Sequence, residues 1–269
     1  MNVRGSTFLV TGASGGIGHA TATELARRGG RLIVCGRDAN ALEKVRGEAA
    51  ALGTTARAFT GDLATAQGVR DLADSVLHAG VVPDAIVNVA GQLSFSPLEA
   101  EDAETAERLF HVNVLAPIEF ARVFTPVFKK RGSGLLVNVG SIFGSIGFPY
   151  FATYSATKFA LRGFSEALRR ELKGSGVRVS YVAPRATRTG LTRLFGRMAD
   201  AMKMAVDEPN VVAEKIVKTI ERDCDVSYFG FPECLFVRIN ALLPGFVDKA
   251  LVAKAAKMRP FAEEAACLH

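Results

Sequence analysis

The chain has 269 residues, 49% hydrophobic and 22% charged, which suits one sizeable α/β core and excludes a disordered chain. No apolar run reaches the about 18 residues of a membrane span, and no signal-peptide-like stretch precedes the first glycines. The net charge of +6 is spread among acids, which argues against nucleic acid, and Cys35, Cys224, Cys234 and Cys267 lack metal or disulfide spacing, so a cytoplasmic protein without metal is expected.

The first apolar run, TFLVT at 7–11, leads straight into TGASGGIGHATATELARRG, where a helix is predicted over 17–28. Gly12, Gly16 and Gly18 form a TGxxxGxG turn between that strand and helix. Glycines permit a tight turn and close backbone approach to a pyrophosphate, and a helix N-terminus supplies N–H donors and positive dipole. In this context the turn is read as a dinucleotide site rather than a structural one.

The second strand, 31–35, ends in CGRD. A carboxylate at that tip would accept hydrogen bonds from an adenosine ribose, but Gly36 stands there and Arg37 follows. A guanidinium there can pair with a 2′-phosphate, so NADP(H) is expected over NAD(H). The plainer alternative makes Arg37 a solvated loop cation; Asp38 is expected to cap the helix at 39–51 in either case.

Strands at 56–60, 84–89, 134–139 and 177–183 then alternate with helices at 66–79, 103–130 and 153–173. This predicts an α/β fold: a Rossmann-type doubly wound parallel sheet in a single domain with a C-terminal helical extension. After 184 the pattern changes. A substrate lid is expected at about 187–206, combining Leu191, Leu194, Phe195, Met198 and Met202 with Arg188, Arg193, Arg197 and Lys203. A helix at 209–222, a short strand near 225–229 and two amphipathic helices split by Pro244-Gly245 follow. The expected division is a catalytic domain over 1–230 and an extension over 231–269 packed on it.

TGxxxGxG at 11–18, NVAG at 88–91, Asn113, Ser141 and the Tyr154/Lys158 pair occur in order, with Ser141 thirteen residues before Tyr154. Together they resemble the classical short-chain dehydrogenases/reductases over roughly residues 5–195. The resemblance implies a catalytic set of Ser141, Tyr154, Lys158 and Asn113. It implies cofactor contacts from Thr11, Gly12, Ser14, Gly16, Ile17, Gly18, Asp62, Leu63, Asn88, Ala90, Gly91, Pro184 and Thr189, besides Arg37, Tyr154 and Lys158. Val89 stands where the family has a second asparagine, and Arg185 replaces a glycine after the sixth strand. That arginine either brings a cation to an acidic substrate group or points away.

Tyr154 would donate a proton to a carbonyl or accept one from an alcohol. Its ordinary pKa of about 10 is high for this work, and a nearby lysine ammonium lowers it. Residues 154 and 158 share one helical face at i, i+4. Ser141 would polarise the substrate oxygen, with Ser145 a competitor for the role, and Asn113 would hold a water linking Lys158 to solvent or satisfy a neighbouring backbone group.

Two substrates fit: a lipophilic ketone or aldehyde, or a 3-oxoacyl thioester on acyl carrier protein, for which FKKRGSG at 128–134 resembles the matching stretch of such reductases. A non-enzymatic NADP(H) sensor or scaffold is the alternative of another class. The basic, apolar tail admits peripheral membrane contact. The resemblance also implies a homodimer or homotetramer through the helices at 103–130 and 153–173.

Overall fold

The computed structural model describes residues 1–190 and 195–267. Seven strands form one sheet in the order β3-β2-β1-β4-β5-β6-β7. They are β1 (Thr7–Thr11), β2 (Arg31–Gly36), β3 (Ala56–Thr60), β4 (Ala85–Asn88), β5 (Gly134–Val139), β6 (Val177–Ala183) and β7 (Val226–Tyr228). Every neighbouring pair is parallel, so all seven carboxyl ends face one edge. The order reverses between β1 and β4, and a crevice opens at such a switch point.

Alternate side chains of the central strands feed two cores. Phe8, Val10, Val34, Val87 and Val137 pack with Leu25 of α1 (Gly16–Arg27), Leu42 of α2 (Ala39–Ala51) and Ile216 of α8 (Pro209–Arg222). Leu9, Ile33, Ile86 and Leu136 pack with Leu72 of α3 (Ala66–His78) and Phe120, Phe124 and Phe128 of α5 (Ala116–Arg131). Near-continuous apolar strands are what burial on both faces requires. Asp38 caps α2 by accepting from the Ala41 N–H at 3.0 Å, as expected.

The helix predicted over 103–130 is interrupted. It forms α4 (Ala103–Phe110), a π-helical turn (His111–Leu115) and then α5. Pro117 accounts for the break, because it has no N–H to give to the carbonyl of Asn113, four residues back. The turn swings Asn113 toward the site.

Helix α6 (Ala152–Glu171) lies against β5 and β6. A buried relay pins it: Asn88 Nδ2 donates to Asn138 Oδ1 at 2.8 Å, and Asn138 Nδ2 to Ser165 Oγ at 2.9 Å. Beyond β6, α7 (Gly196–Ala201) buries Met198 and Ala199 beside Phe95, Phe151 and Phe195. Two helices, α9 (Phe231–Leu242) and α10 (Pro244–Ala266), pack on each other; α10 covers this cluster through Met258 and Ala262, and Val237 of α9 packs with Ile146, Val247 and Leu251. No helix among the described residues is long and apolar enough to cross a membrane.

Candidate active site

Two cavities meet at the carboxyl edge of the sheet. The first, about 370 Å³, is lined by Gly12, Ser14, Gly16, Gly18, Arg37 and Asp62, and by Leu63, Ala90, Gly91 and Lys158 farther along. The second, about 300 Å³, is lined largely by Phe143, Phe148, Phe151, Phe195, Met202 and Met204, with Ser141 and Pro184. Ile17, Gly140, Tyr154 and Thr189 border both.

The first cleft is built largely from backbone. Gly12 has φ +65°, the left-handed region, and a Cβ on Gly18 would stand 2.1 Å from the Gly12 carbonyl oxygen. The turn therefore folds tightly onto α1. Gly15, the N-cap, has no side chain to satisfy the first-turn N–H groups. Donors and positive helix dipole therefore face the cleft, which is the chemistry a pyrophosphate needs. A Cβ on Gly16 would come within 2.7 Å of Thr189 Cγ2, so that glycine keeps the cleft open between turn and lid. These features fit a bound dinucleotide.

Arg37 is exposed at the far end of this cleft, with no acid paired to it among the described residues. Asp62 Oδ1 accepts from the Ala64 N–H at 3.0 Å, shaping its turn while facing the cleft. Two expected contacts are placed otherwise. Thr11 Oγ1 accepts from the N–H groups of Val89 and Ala90 at 3.1 and 3.2 Å, tying the tips of β1 and β4. The buried Asn88 side chain turns into the sheet toward Asn138. Both residues shape the cleft from beneath rather than line it.

The catalytic candidates converge. Lys158 is buried, and its Nζ donates to the Val139 carbonyl at 3.2 Å and lies 5.6 Å from the Tyr154 ring centre. Burial lowers its pKa to about 8. Burial pushes Tyr154 up to about 12, with the neighbouring Ser141 hydroxyl pulling the other way. The expected lowering of Tyr154 by Lys158 is not seen: burial dominates, only Ser141 opposes it, and the phenol is held protonated.

Ser141 follows β5 and lines the apolar cavity, where its Oγ accepts from the Phe143 N–H at 3.2 Å. Its competitor Ser145 is engaged elsewhere, with Tyr228 at 3.0 Å and Arg162 Nη1 at 2.8 Å. The Asn113 carboxamide accepts from the Gln92 N–H at 2.8 Å and donates to the Gln92 carbonyl at 2.9 Å and Thr157 Oγ1 at 3.0 Å. Thr157 in turn donates to the Tyr154 carbonyl at 2.7 Å. Asn113 thereby fastens the first turn of α6 to the loop after β4, the backbone-satisfying alternative of the sequence reading.

Sequence reasoning missed Tyr181. Buried in β6, its hydroxyl donates to the Ser141 carbonyl at 3.2 Å and accepts from the Ser141 N–H at 3.4 Å. A Cβ on Gly140 would stand 2.2 Å from that hydroxyl, so the glycine makes room for the phenol under the serine. A lone tyrosine in an apolar strand was the available signal.

Arg185 does not present a free cation. Its guanidinium meets Asp207 at 2.6 Å and Glu233 at 3.3 Å, and Lys215 holds the other Asp207 oxygen at 3.2 Å. Hydrogen bonding to Asp207 raises the arginine's pKa. Of the lid cations, Arg188 pairs with Glu208 and Arg197 with Glu264 at the surface, while Leu191, Arg193 and Leu194 lie outside the described residues.

The family model described as short chain dehydrogenase matches residues 6–200, and the chain belongs to that family. The chain is 26% identical over 270 residues to dehydrogenase/reductase SDR family member 7B of Mus musculus, covering 96% of this chain and 83% of the relative. It is 30% identical over 274 residues to the putative oxidoreductase SadH of Mycobacterium tuberculosis, covering 96% and 98%. A short-chain dehydrogenase from Sphingobium yanoikuyae, solved in complex with NADPH, superposes with a TM-score of 0.78 at 28% identity, covering 90% of this chain and 95% of that one. The chain is accordingly an oxidoreductase with the Rossmann-type fold of this family.

Proposed function

We propose that the chain is an NADP(H)-dependent carbonyl reductase/alcohol dehydrogenase acting on a lipophilic ketone or aldehyde, with Tyr154 as general acid/base. The carrying observation is the junction at Tyr154, where an apolar cavity holding Ser141 meets a glycine-built cleft. The bound dinucleotide supplies the hydride. Ser141 orients and polarises the carbonyl oxygen. Tyr154, kept protonated by burial, gives that oxygen its proton, and the Lys158 ammonium favours the phenolate left behind.

Arg37 supports NADP(H), since an unpaired guanidinium at the β2 tip suits a 2′-phosphate. The structural relative holding NADPH agrees with this. The reductive direction follows from a cellular NADP(H) pool kept reduced. The phenylalanine and methionine lining supports an apolar substrate over an acyl carrier protein. The basic stretch expected to meet a carrier, Lys129 to Arg131, closes α5 where β5 begins. That is the amino edge of the sheet, opposite the site, and Arg131 there is paired with Asp84. Half-exposed Phe110, Leu115 and Phe159 on α4, the π turn and α6 support a homo-oligomer through these helices.

Tyr154→Phe tests the mechanism. Turnover of a panel of apolar ketones with NADPH is expected to fall by about 10²–10⁴-fold while NADPH still binds. Full turnover in this variant would overturn the mechanism. Cofactor binding without turnover of any ketone by the unmodified chain would favour the sensor reading.

A further inference from the structure

The four most exposed large apolar side chains among the described residues all lie on α9 and α10: Phe231 (82%), Leu242 (80%), Val252 (70%) and Phe246 (65%). Phe231, Leu235, Arg238 and Leu242 occupy positions i, i+4, i+7 and i+11, one stripe of α9 turned away from the protein. The stripe runs into the tip of the helix pair, where Leu242, Leu243 and Phe246 are exposed together. A soluble surface rarely gathers this much apolar area without something to cover it.

The charges say what covers it. Arg238, Lys249, Lys254 and Lys257 are exposed on the same two helices, and none is in an ion pair among the described residues. Of the acids in 231–257, Glu233 is held by Arg185, leaving Asp248 alone. An isologous contact with a second copy would bring the two cationic sets together and repel. An anionic bilayer satisfies both features, taking the apolar tip into the headgroup boundary and the cations onto lipid phosphates and carboxylates.

We propose that the α9–α10 helix pair is a docking face for an anionic lipid surface, with the apolar cavity beside it. Glu233 and Phe236 of α9 and Lys254 of α10 belong to the cavity wall, and Lys254 is exposed to solvent. Glu233 and Phe236 lie on the side of α9 opposite its exposed stripe, so the cavity sits directly behind the docking face. The docking itself does not depend on the substrate assigned above.

The test is co-sedimentation of the full chain with vesicles of phosphatidylcholine alone or containing 30% (about one lipid in three) phosphatidylserine. Binding is expected to the anionic vesicles and to weaken steeply with salt. Arg238→Glu with Lys249→Glu is expected to weaken it more than tenfold, since each cation near such a surface contributes roughly fivefold. Leu242→Ser with Phe246→Ser is expected to abolish it. All four residues lie outside both cavities, so NADPH binding serves as the control for folding. Equal binding to neutral and anionic vesicles, or none to either, overturns the proposal. So does a concentration-dependent dimer, seen by sedimentation velocity, that Leu242→Ser with Phe246→Ser dissolves.

Discussion

The two cavities that share Tyr154 are built in opposite ways. The dinucleotide cleft uses backbone, glycines and short side chains at the tips of consecutive strands, and each wall comes from a compact stretch of sequence. The apolar cavity uses large apolar side chains gathered from Ile17 and from segments scattered between Leu93 and Lys254. A pyrophosphate offers the same hydrogen-bonding surface in every such dinucleotide, and fixed donors at one helix end suffice for it. An apolar molecule is recognised by shape, and shape is set by side chains contributed from wherever the chain returns to the site.

The largest expected effect that would separate the two regions is Phe151→Ala. Phe151 is buried and stacks on Phe95 with ring centres 4.7 Å apart. Its loss is expected to cost about 3–5 kcal/mol of stability, read by chemical denaturation, and to change ketone KM while leaving NADPH affinity intact. A matching loss of NADPH affinity would mean that the cavities are not separable.

Lys158→Met comes next and carries a pH signature. Burial lowers Lys158 from 10.5 to about 8, so the unfolded chain binds the proton more tightly between these values. The ionised side chain costs stability at neutral pH, and this cost fades as pH rises through that window. Tyr154 acts oppositely: raised from 10.0 to about 12, it contributes stability below pH 10 that is lost as pH climbs toward 12. Lys158→Met is expected to gain about 2 kcal/mol at pH 7, after stranding the Val139 carbonyl, and to flatten the stability curve between pH 8 and 10.5. Turnover is expected to collapse in the same variant. Denaturation midpoints across pH read the first effect and single-turnover reduction the second.

Gly18→Ala addresses the cleft alone. The added methyl would face the Gly12 carbonyl oxygen at 2.1 Å, and backbone must shift to admit it. NADPH binding is expected to weaken by at least about tenfold, at a stability cost of roughly 1–3 kcal/mol. Arg37→Ala is the smallest change and the sharpest. It is expected to weaken NADPH by about tenfold and leave NADH nearly unaltered, as judged by fluorescence titration.

The same contrast explains what was legible in the sequence. The alternation of strands and helices is a local signal, and the sheet has the architecture it implied. The glycine turn, Arg37 and the Tyr154/Lys158 pair are local signals too, and all of them line one cleft. The turning of Asn88 into the sheet was not legible, because its partner Asn138 lies fifty residues away. Nor was the support of Ser141 by Tyr181, forty residues on. The break at Asn113 was written in Pro117, but apolar periodicity across 103–130 masked it. Arg185 showed its cation in the sequence while its acids, Asp207 and Glu233, lay 22 and 48 residues downstream.

That last group has a mechanical consequence. Asp207 ends the segment bridged back to Thr187, and Glu233 opens the helix pair whose tip faces away from the body. One guanidinium bolts both to the end of β6, so force applied at the tip of α9 and α10 is carried into the wall beside Ser141 rather than dissipated in a loose tail. Whatever tugs on that tip strains the apolar cavity beside Ser141.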